Sequence, residues 1–139
     1  MFTGETTVRV RYAETDQMGY VYYGNYSMYY EVGRAEAMRK AGFSYKRLED
    51  MGIMMPVLVN NSKYIMPARY DELLTIKISI PKMPMVKIIV NCDIYNEQNQ
   101  HIHHGETTLA FVNMKTGKPC RIPDELKAVY EPYYSDDSK

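Results

Sequence analysis

Residues 6–42 read TTVRVRYAETDQMGYVYYGNYSMYYEVGRAEAMRKAG, a strand pattern followed by a helix pattern. Thr6–Tyr12 alternates apolar and polar side chains, which predicts a half-buried β-strand. Tyr26–Ala41 contains no proline and predicts a long helix, with Asn25 as its N-cap and Gly42 as its C-terminal stop. Aromatic and small residues recur on one face of this helix, which we expect to pack against a sheet; they are Tyr26, Tyr29, Tyr30, Gly33, Ala37 and Ala41.

The remainder of the chain predicts one short helix over Ser44–Met51 and then mainly β-strands. The predicted strands, joined by short turns, are Ile53–Met66, Leu74–Ile80, Val86–Tyr95 and Ile102–Met114. Short turns imply an antiparallel meander, and one long helix on one face of such a sheet makes an α+β domain. We expect a single domain over residues 1–130 and a loose tail over residues 131–139.

Composition excludes several classes of function. The 139 residues fit one domain, and the 17 basic and 17 acidic residues cancel without a long basic run, so nucleic-acid binding is not expected. The longest uncharged apolar stretch, Ile53–Val59, is far shorter than the roughly 20 residues of a membrane-spanning helix, so we expect no membrane insertion. The first ten residues lack a signal-peptide pattern and the two cysteines form no disulfide framework, which together predict a cytoplasmic protein.

The segment between the first predicted strand and the long helix carries the candidate chemistry. Asp16 follows the strand, and a loop with Gly19 and Gly24 leads to the predicted helix start. Free backbone N–H groups at a helix start bind anions and stabilise a developing oxyanion. A carboxylate facing them completes an acyl-transfer site, because it attacks the polarised carbonyl or activates water. A turn-forming or capping aspartate is the alternative interpretation of Asp16.

Residues 12–26 have the form Y-x-x-T-D-x-M-G-x-V-Y-Y-G-N-Y. This run resembles the opening motif of the 4-hydroxybenzoyl-CoA thioesterase family and its acyl-CoA hydrolase relatives. The resemblance continues in order over residues 6–126, through the segments Arg34-Ala35-Glu36, Ala41-Gly42-Phe43, Tyr64–Leu73, Thr116-Gly117-Lys118-Pro119 and Ile122-Pro123.

The resemblance implies a hot-dog fold, in which an antiparallel sheet wraps around the long helix. It implies hydrolysis of an acyl-CoA or acyl-carrier-protein thioester without a cofactor, and homodimers with sites at the subunit interface, often paired into homotetramers. It places Asp16 at the family's catalytic aspartate, as nucleophile or general base, and the Tyr23 backbone N–H where the family polarises the thioester carbonyl. The other loop residues that it implies in substrate binding are Gly19, Val21, Tyr22, Gly24 and Asn25.

Two features depart from the family pattern. Many acyl-CoA hydrolases of this type have His at the position of Tyr23, and a phenol does not serve as a base near neutral pH. Some relatives hold the CoA nucleotide with a basic cluster in the turn that corresponds to Lys82-Met83-Pro84. Here only Lys82 and, further on, Lys87 are basic, and Lys118 and Arg121 near the last strand add further charge. Of these, Lys82, Lys87 and Arg121 are the candidate nucleotide contacts, with ordinary solvated side chains as the alternative.

The other groups of potentially metal-binding or catalytic residues point less clearly to a function. His101 and His103 share one face of a predicted strand and His104 the other, with no third ligand nearby, so we expect exposed histidines and no metal. No G-x-S-x-G motif is present. Two alternatives to a thioesterase stay open. A hot-dog dehydratase typically needs a histidine that the opening motif lacks, and a non-catalytic acyl-thioester-binding protein has no need of Asp16.

Overall fold

A computed structural model describes residues 1–134 as an antiparallel sheet packed on one long helix. The helices are α1 (Tyr26–Lys40), α2 (Tyr45–Asp50) and α3 (Asp124–Tyr130). The strands are β1 (Phe2–Arg9), β2 (Ile53–Met54), β3 (Val57–Tyr64), β4 (Leu73–Ile80), β5 (Lys87–Tyr95), β6 (His101–Ala110) and β7 (Val112–Asn113). None of the described helices is long and apolar enough to span a membrane.

The five long strands form one sheet in the order β1-β4-β5-β6-β3, and each neighbouring pair is antiparallel. β4, β5 and β6 form the predicted meander. β3 does not join it beside β4, because β1 occupies that edge of β4 along its whole length, and β3 pairs with β6 at the other edge. The α+β hot-dog arrangement expected from the sequence is confirmed, with α1 packed on β1, β4 and β5.

The predicted long helix is confirmed almost to the residue. Tyr26, Tyr29, Tyr30, Gly33 and Ala37 of its predicted face are buried. Gly42 ends the helix with φ +96°, a left-handed conformation that favours glycine. The second helix is also confirmed, and the Ser44 side chain accepts a hydrogen bond from the Arg47 N–H as its N-cap.

Two glycines allow α1 to lie this close to the sheet. A Cβ at Gly33 would meet Ile76 Cγ2 at 2.7 Å, so the helix touches β4 through bare backbone. A Cβ at Gly105 of β6 would overlap the ring of Tyr30. The Tyr30 ring therefore packs directly against the backbone of β6, and its hydroxyl lies 2.7 Å from Ser62 Oγ on β3.

Three strand predictions need correction. β1 begins at Phe2 instead of Thr6, because Phe2 is buried opposite Ile80, and the chain beyond Arg9 leaves the sheet for a 3-10 turn over residues 12–14. The predicted strand Ile53–Met66 is two strands, because the chain changes sheet at Pro56. Ile102–Met114 is likewise divided into β6 and β7, and β7 pairs with β2.

The C-terminal segment is more structured than the sequence predicts. α3 was not predicted, and it buries Leu126 and Tyr130. Residues 131–133 of the predicted tail form a 3-10 turn, and the buried Tyr134 donates a hydrogen bond from its hydroxyl to the Ile80 carbonyl (2.6 Å). The Tyr134 hydrogen bond joins residues 54 positions apart, and no local sequence pattern reveals a contact at that separation. The rest of the predicted tail, residues 135–139, lies outside the described residues.

Candidate active site

The loop between β1 and α1 folds as a small hairpin pinned to the turn before β4. The Asp16 N–H donates to the Tyr20 carbonyl (2.8 Å), and Thr15 pairs with Val21 across the hairpin. The Val21 N–H donates to the Ala68 carbonyl (2.8 Å), which ties the returning arm to the turn. The arm ends in a 3-10 turn over Tyr23–Asn25 that runs directly into α1. The loop is thus held at both of its arms and at the helix.

Asp16 combines a turn contact with a carboxylate oxygen that is left free. Its Oδ1 accepts hydrogen bonds from the N–H groups of Met18 (2.9 Å) and Tyr20 (3.3 Å). Its Oδ2 has no hydrogen-bond donor among residues 1–134. The side chain is half-buried and lines a cavity. The turn-forming interpretation of Asp16 therefore accounts for one oxygen and leaves the other available for chemistry.

The cavity beside Asp16 has a volume of about 310 Å³ and is mainly apolar. Four tyrosines contribute to its wall, Tyr20, Tyr23, Tyr26 and Tyr64, and the rest of the lining is Asp16, Met18, Val21, Ile65, Met66 and Pro67. Loop, helix and β3 each supply part of this wall. A mainly apolar pocket with few polar groups is the usual form of a small-molecule site.

Tyr23 lies at the start of the 3-10 turn that leads into the helix. Its backbone N–H has no hydrogen-bond acceptor within the described part of the chain, as is normal for the first residue of a helical turn. Its carbonyl accepts a hydrogen bond from Tyr64 Oη (3.2 Å), and its ring is exposed. The backbone N–H singled out from the sequence therefore belongs to a residue that lines the cavity and is left unpaired among residues 1–134.

The other predicted loop residues separate into two groups. Val21 lines the cavity, while Tyr22, Gly24 and Asn25 lie outside its lining, and Gly19 forms the exposed hairpin tip with φ +79°. The prediction that the Asn25 side chain caps α1 is wrong. Asn25 has helical backbone angles because it is the last residue of the 3-10 turn, and its Nδ2 donates to the Glu14 carbonyl (2.9 Å).

The three basic candidates lie at the opposite end of the sheet from the cavity. Lys87 pairs with Ala110 of β6, whereas cavity residue Tyr64 pairs with His103, seven positions away. Seven residues of a strand span about 23 Å. Lys82 and Arg121 are exposed near Lys87, since the Ile122 N–H donates to the Met85 carbonyl (2.7 Å). The structure does not bring these side chains to the cavity of their own subunit.

Sequence reasoning did not single out Glu14, whose side chain is buried directly beneath the Asp16 loop. Its Oε1 accepts hydrogen bonds from the Arg11 N–H and Tyr29 Oη, and its Oε2 accepts one from Arg11 Nε, each at 2.9 Å. Burial raises the pKa of Glu14, but these hydrogen bonds and the Arg11 charge outweigh it and hold the pKa below its ordinary value. Glu14 is therefore an anion at neutral pH.

The prediction that His101 and His103 share a face is wrong, and so is the predicted exposure of His103, whereas His101 is exposed as predicted. A bulge in β6 sets Tyr95 opposite His101 and Ile94 opposite His103, so His103 turns inward and is fully buried. It stacks on Tyr26 (4.0 Å between ring centroids) and is hydrogen-bonded to Tyr30 Oη. Burial, with smaller contributions from the two neighbouring histidines, lowers the pKa of His103 to about 4, so the ring is neutral at physiological pH.

His101 and His104 instead share the outer face of the sheet. Both contact Asp93 Oδ1, at 2.9 and 2.8 Å. Over residues 1–134, no three His, Cys, Asp or Glu side chains are arranged to hold a metal ion.

Residues 10–129 match the family model of the thioesterase-like superfamily. The chain belongs to this superfamily. This membership confirms the family resemblance that the opening motif showed. It also confirms the enzyme class that the resemblance implied, which is a thioester hydrolase.

Several known proteins are similar to this chain over nearly their full length. YneP of Bacillus subtilis (strain 168) is 33% identical over 88% of both chains. The acyl-CoA thioester hydrolase YbgC of Escherichia coli O6:H1 is 30% identical over 89% of this chain and 92% of its own. The crystal structure of DHNA-CoA thioesterase from Staphylococcus aureus is 31% identical, with a TM-score of 0.92 over 100% of this chain and 97% of that one.

Proposed function

We propose that this protein hydrolyses an acyl-CoA thioester to a free acid and a thiol. The observation that carries the proposal is that Asp16 and Tyr23 line one cavity, the first with a free carboxylate oxygen and the second with a free backbone N–H. A negative group and a hydrogen-bond donor on one apolar cavity are what attack on a polarised carbonyl requires. Similarity to the YbgC hydrolase supports the substrate class.

In the proposed reaction, the thioester carbonyl oxygen accepts a hydrogen bond from the Tyr23 N–H, which stabilises the negative charge that develops on that oxygen. Asp16 then acts by one of two routes. As nucleophile, its free oxygen attacks the carbonyl carbon, the C–S bond breaks, the thiolate takes a proton from water, and water hydrolyses the acyl-aspartyl anhydride. As general base, it takes a proton from the water molecule that attacks the carbonyl carbon; the C–S bond then breaks, and the leaving thiolate takes that proton from Asp16.

We further propose that the working unit is a dimer in which two β3 strands pair. All eight residues of β3 are exposed, and Val57, Leu58 and Val59 expose about half of their surface each (50%, 50% and 48%). An apolar edge strand this open is a docking surface for another strand. Twofold antiparallel pairing sets the Tyr64 end of one strand against the Val57 end of the other. That geometry carries the basic end of the partner subunit, with Lys82, Lys87 and Arg121, towards the cavity.

Light scattering on the purified protein tests the dimer. We expect a mass of at least twice the 16.2 kDa of the chain, and four times that value if dimers pair. Val59→Lys adds a charge to the proposed interface and is expected to shift the protein towards monomer and to lower activity in parallel. Ile89→Lys, on β5, is the matched control and leaves the dimer intact. A monomeric and fully active wild type contradicts the interface site.

We propose that the acyl group is aromatic. The support comes from the four tyrosines that line the cavity, because aromatic rings pack favourably edge-to-face or offset against one another. The DHNA-CoA thioesterase of Staphylococcus aureus, named for its substrate, also supports this class.

Release of free thiol from a panel of acyl-CoAs tests both the activity and the acyl group. We expect hydrolysis of the panel's aromatic members, DHNA-CoA included, with kcat/KM at least about 10-fold above that of short and long aliphatic acyl-CoAs, a difference of about 1.4 kcal/mol. Equal rates across the panel contradict the aromatic assignment only. Binding without thiol release favours the non-catalytic alternative, and conversion of hydroxyacyl-CoA to enoyl-CoA favours the dehydratase.

A further inference from the structure

Glu14 contacts both arms of the Asp16 loop and the long helix. Its side chain reaches Tyr29 in the first turns of α1 and Arg11 at the end of the incoming arm. Its backbone carbonyl accepts hydrogen bonds from the Tyr22 N–H and from Asn25 Nδ2, both at 2.9 Å. Glu14 therefore accepts five hydrogen bonds, and it is 6% exposed.

The position of Glu14 relates these contacts directly to the proposed chemistry. Glu14 lies two residues before Asp16, and the peptide that it holds through its carbonyl, the Tyr22 N–H, immediately precedes the Tyr23 peptide. The Glu14 carboxylate holds the Glu14 backbone in place relative to α1. That backbone in turn holds both the arm that carries Asp16 and the arm that leads to Tyr23. A displacement of about 1 Å at either arm is enough to lower a rate about 100-fold.

We propose that Glu14 is a positioning residue that sets the Asp16 carboxylate and the Tyr23 peptide at the separation needed for attack on the thioester, an inference that rests on the proposed function. Glu14 lies outside the lining of the Asp16 cavity, so we assign it no contact with the substrate. It acts through the rigidity of a buried, fully paired anion, since charge-assisted hydrogen bonds are shorter and stronger than neutral ones. A neutral amide of the same size cannot replace it, because the amide would present an N–H group to Arg11.

Steady-state kinetics of Glu14→Gln test the proposal. We expect kcat to fall about 10- to 100-fold with KM changed less than about 3-fold, because cavity contacts are retained while the reacting groups are misaligned. Glu97→Gln is the matched control, since Glu97 Oε1 also accepts a backbone N–H, that of Leu73 (2.8 Å), outside the cavity lining. The control is expected to keep wild-type kcat. Tyr29→Phe removes one hydrogen bond from Glu14 without changing packing, and we expect a several-fold fall in kcat.

The double variant Glu14→Gln/Asp16→Asn separates positioning from a merely structural role. If Glu14 acts through Asp16, the Glu14 substitution lowers kcat much less in the Asp16→Asn background than in the wild type. Equal fold-losses in both backgrounds, or wild-type kcat in Glu14→Gln, overturn the proposal. If Glu14→Gln does not fold, as judged by circular dichroism, Tyr29→Phe measured in both backgrounds distinguishes the same two roles. An Asp16→Asn enzyme with full activity removes Asp16 from the mechanism, and a wild type that releases no thiol from any acyl-CoA refutes the proposed function itself, whichever value Glu14→Gln returns.

Discussion

Asp16→Asn is expected to lower kcat for thioester hydrolysis by at least about 100-fold, the scale of losing a nucleophile or general base. Asn keeps a side-chain oxygen in the position of Oδ1, so the hydrogen bonds from the Met18 and Tyr20 N–H groups persist and the hairpin keeps its shape. The substitution replaces the free carboxylate oxygen by an uncharged amide nitrogen. A large loss of rate with an unchanged melting temperature is therefore the signature of chemistry at Asp16.

Asp71→Asn is the matched control for this substitution. Asp71 lies in an exposed turn outside the cavity lining and has φ +69°, a conformation that Asn also tolerates. We expect wild-type kcat in this variant. Thiol release is measured for both variants on the best acyl-CoA of the panel. Equal rates for wild type and Asp16→Asn would remove Asp16 from the mechanism.

The second large effect is expected from Tyr23→Pro, which removes a backbone donor without disturbing the fold. Proline lacks an N–H, and the Tyr23 N–H has no acceptor among residues 1–134, so no structural hydrogen bond is lost. The preceding residue, Tyr22, has ψ 132°, the extended conformation that a residue before proline prefers. Removing one oxyanion donor costs about 100- to 1000-fold in kcat.

Tyr23→Ala distinguishes the peptide from the side chain at this position. Alanine keeps the backbone N–H and removes the exposed ring, so we expect a small change in KM and a kcat within several-fold of wild type. Comparison of kcat for the two variants measures the contribution of the N–H alone. If Tyr23→Pro is as active as Tyr23→Ala, another donor polarises the carbonyl.

Residues 6–42 show which features of the fold and the site can be predicted from short stretches of sequence. The helix Tyr26–Lys40 was predicted because apolar spacing, the absence of proline and a terminal glycine all act over a few residues. The contiguous run from Tyr12 to Tyr26 likewise placed Asp16 and Tyr23 on one loop, and both line the cavity. The enzyme class was predicted from the family resemblance of the same run. The run is visible in the sequence because the residues that form this loop are neighbours along the chain.

Residues whose roles depend on distant partners were missed or misplaced. His103 was predicted to be exposed, but a one-residue bulge in β6 reverses its face, and period-two alternation gives no sign of a bulge. Asn25 has the composition of a helix cap, yet its amide bonds to Glu14, eleven residues away. Glu14 itself is an ordinary acidic residue in the sequence. Only the approach of Tyr29 in the folded chain makes it a buried residue with several hydrogen-bond partners.

The sequence by itself determined the strand–helix–strand order, the long central helix, the superfamily and the loop that carries Asp16 and Tyr23. Each of these depends on side chains within about one helical turn or one loop of one another. Tertiary structure alone decided that β3 lies at the far edge of the sheet, that Lys82, Lys87 and Arg121 lie away from their own cavity, and that Glu14 and His103 are buried. The reason is that strand order, bulges and burial are set by pairing between segments far apart in the chain, where many arrangements satisfy the same local pattern.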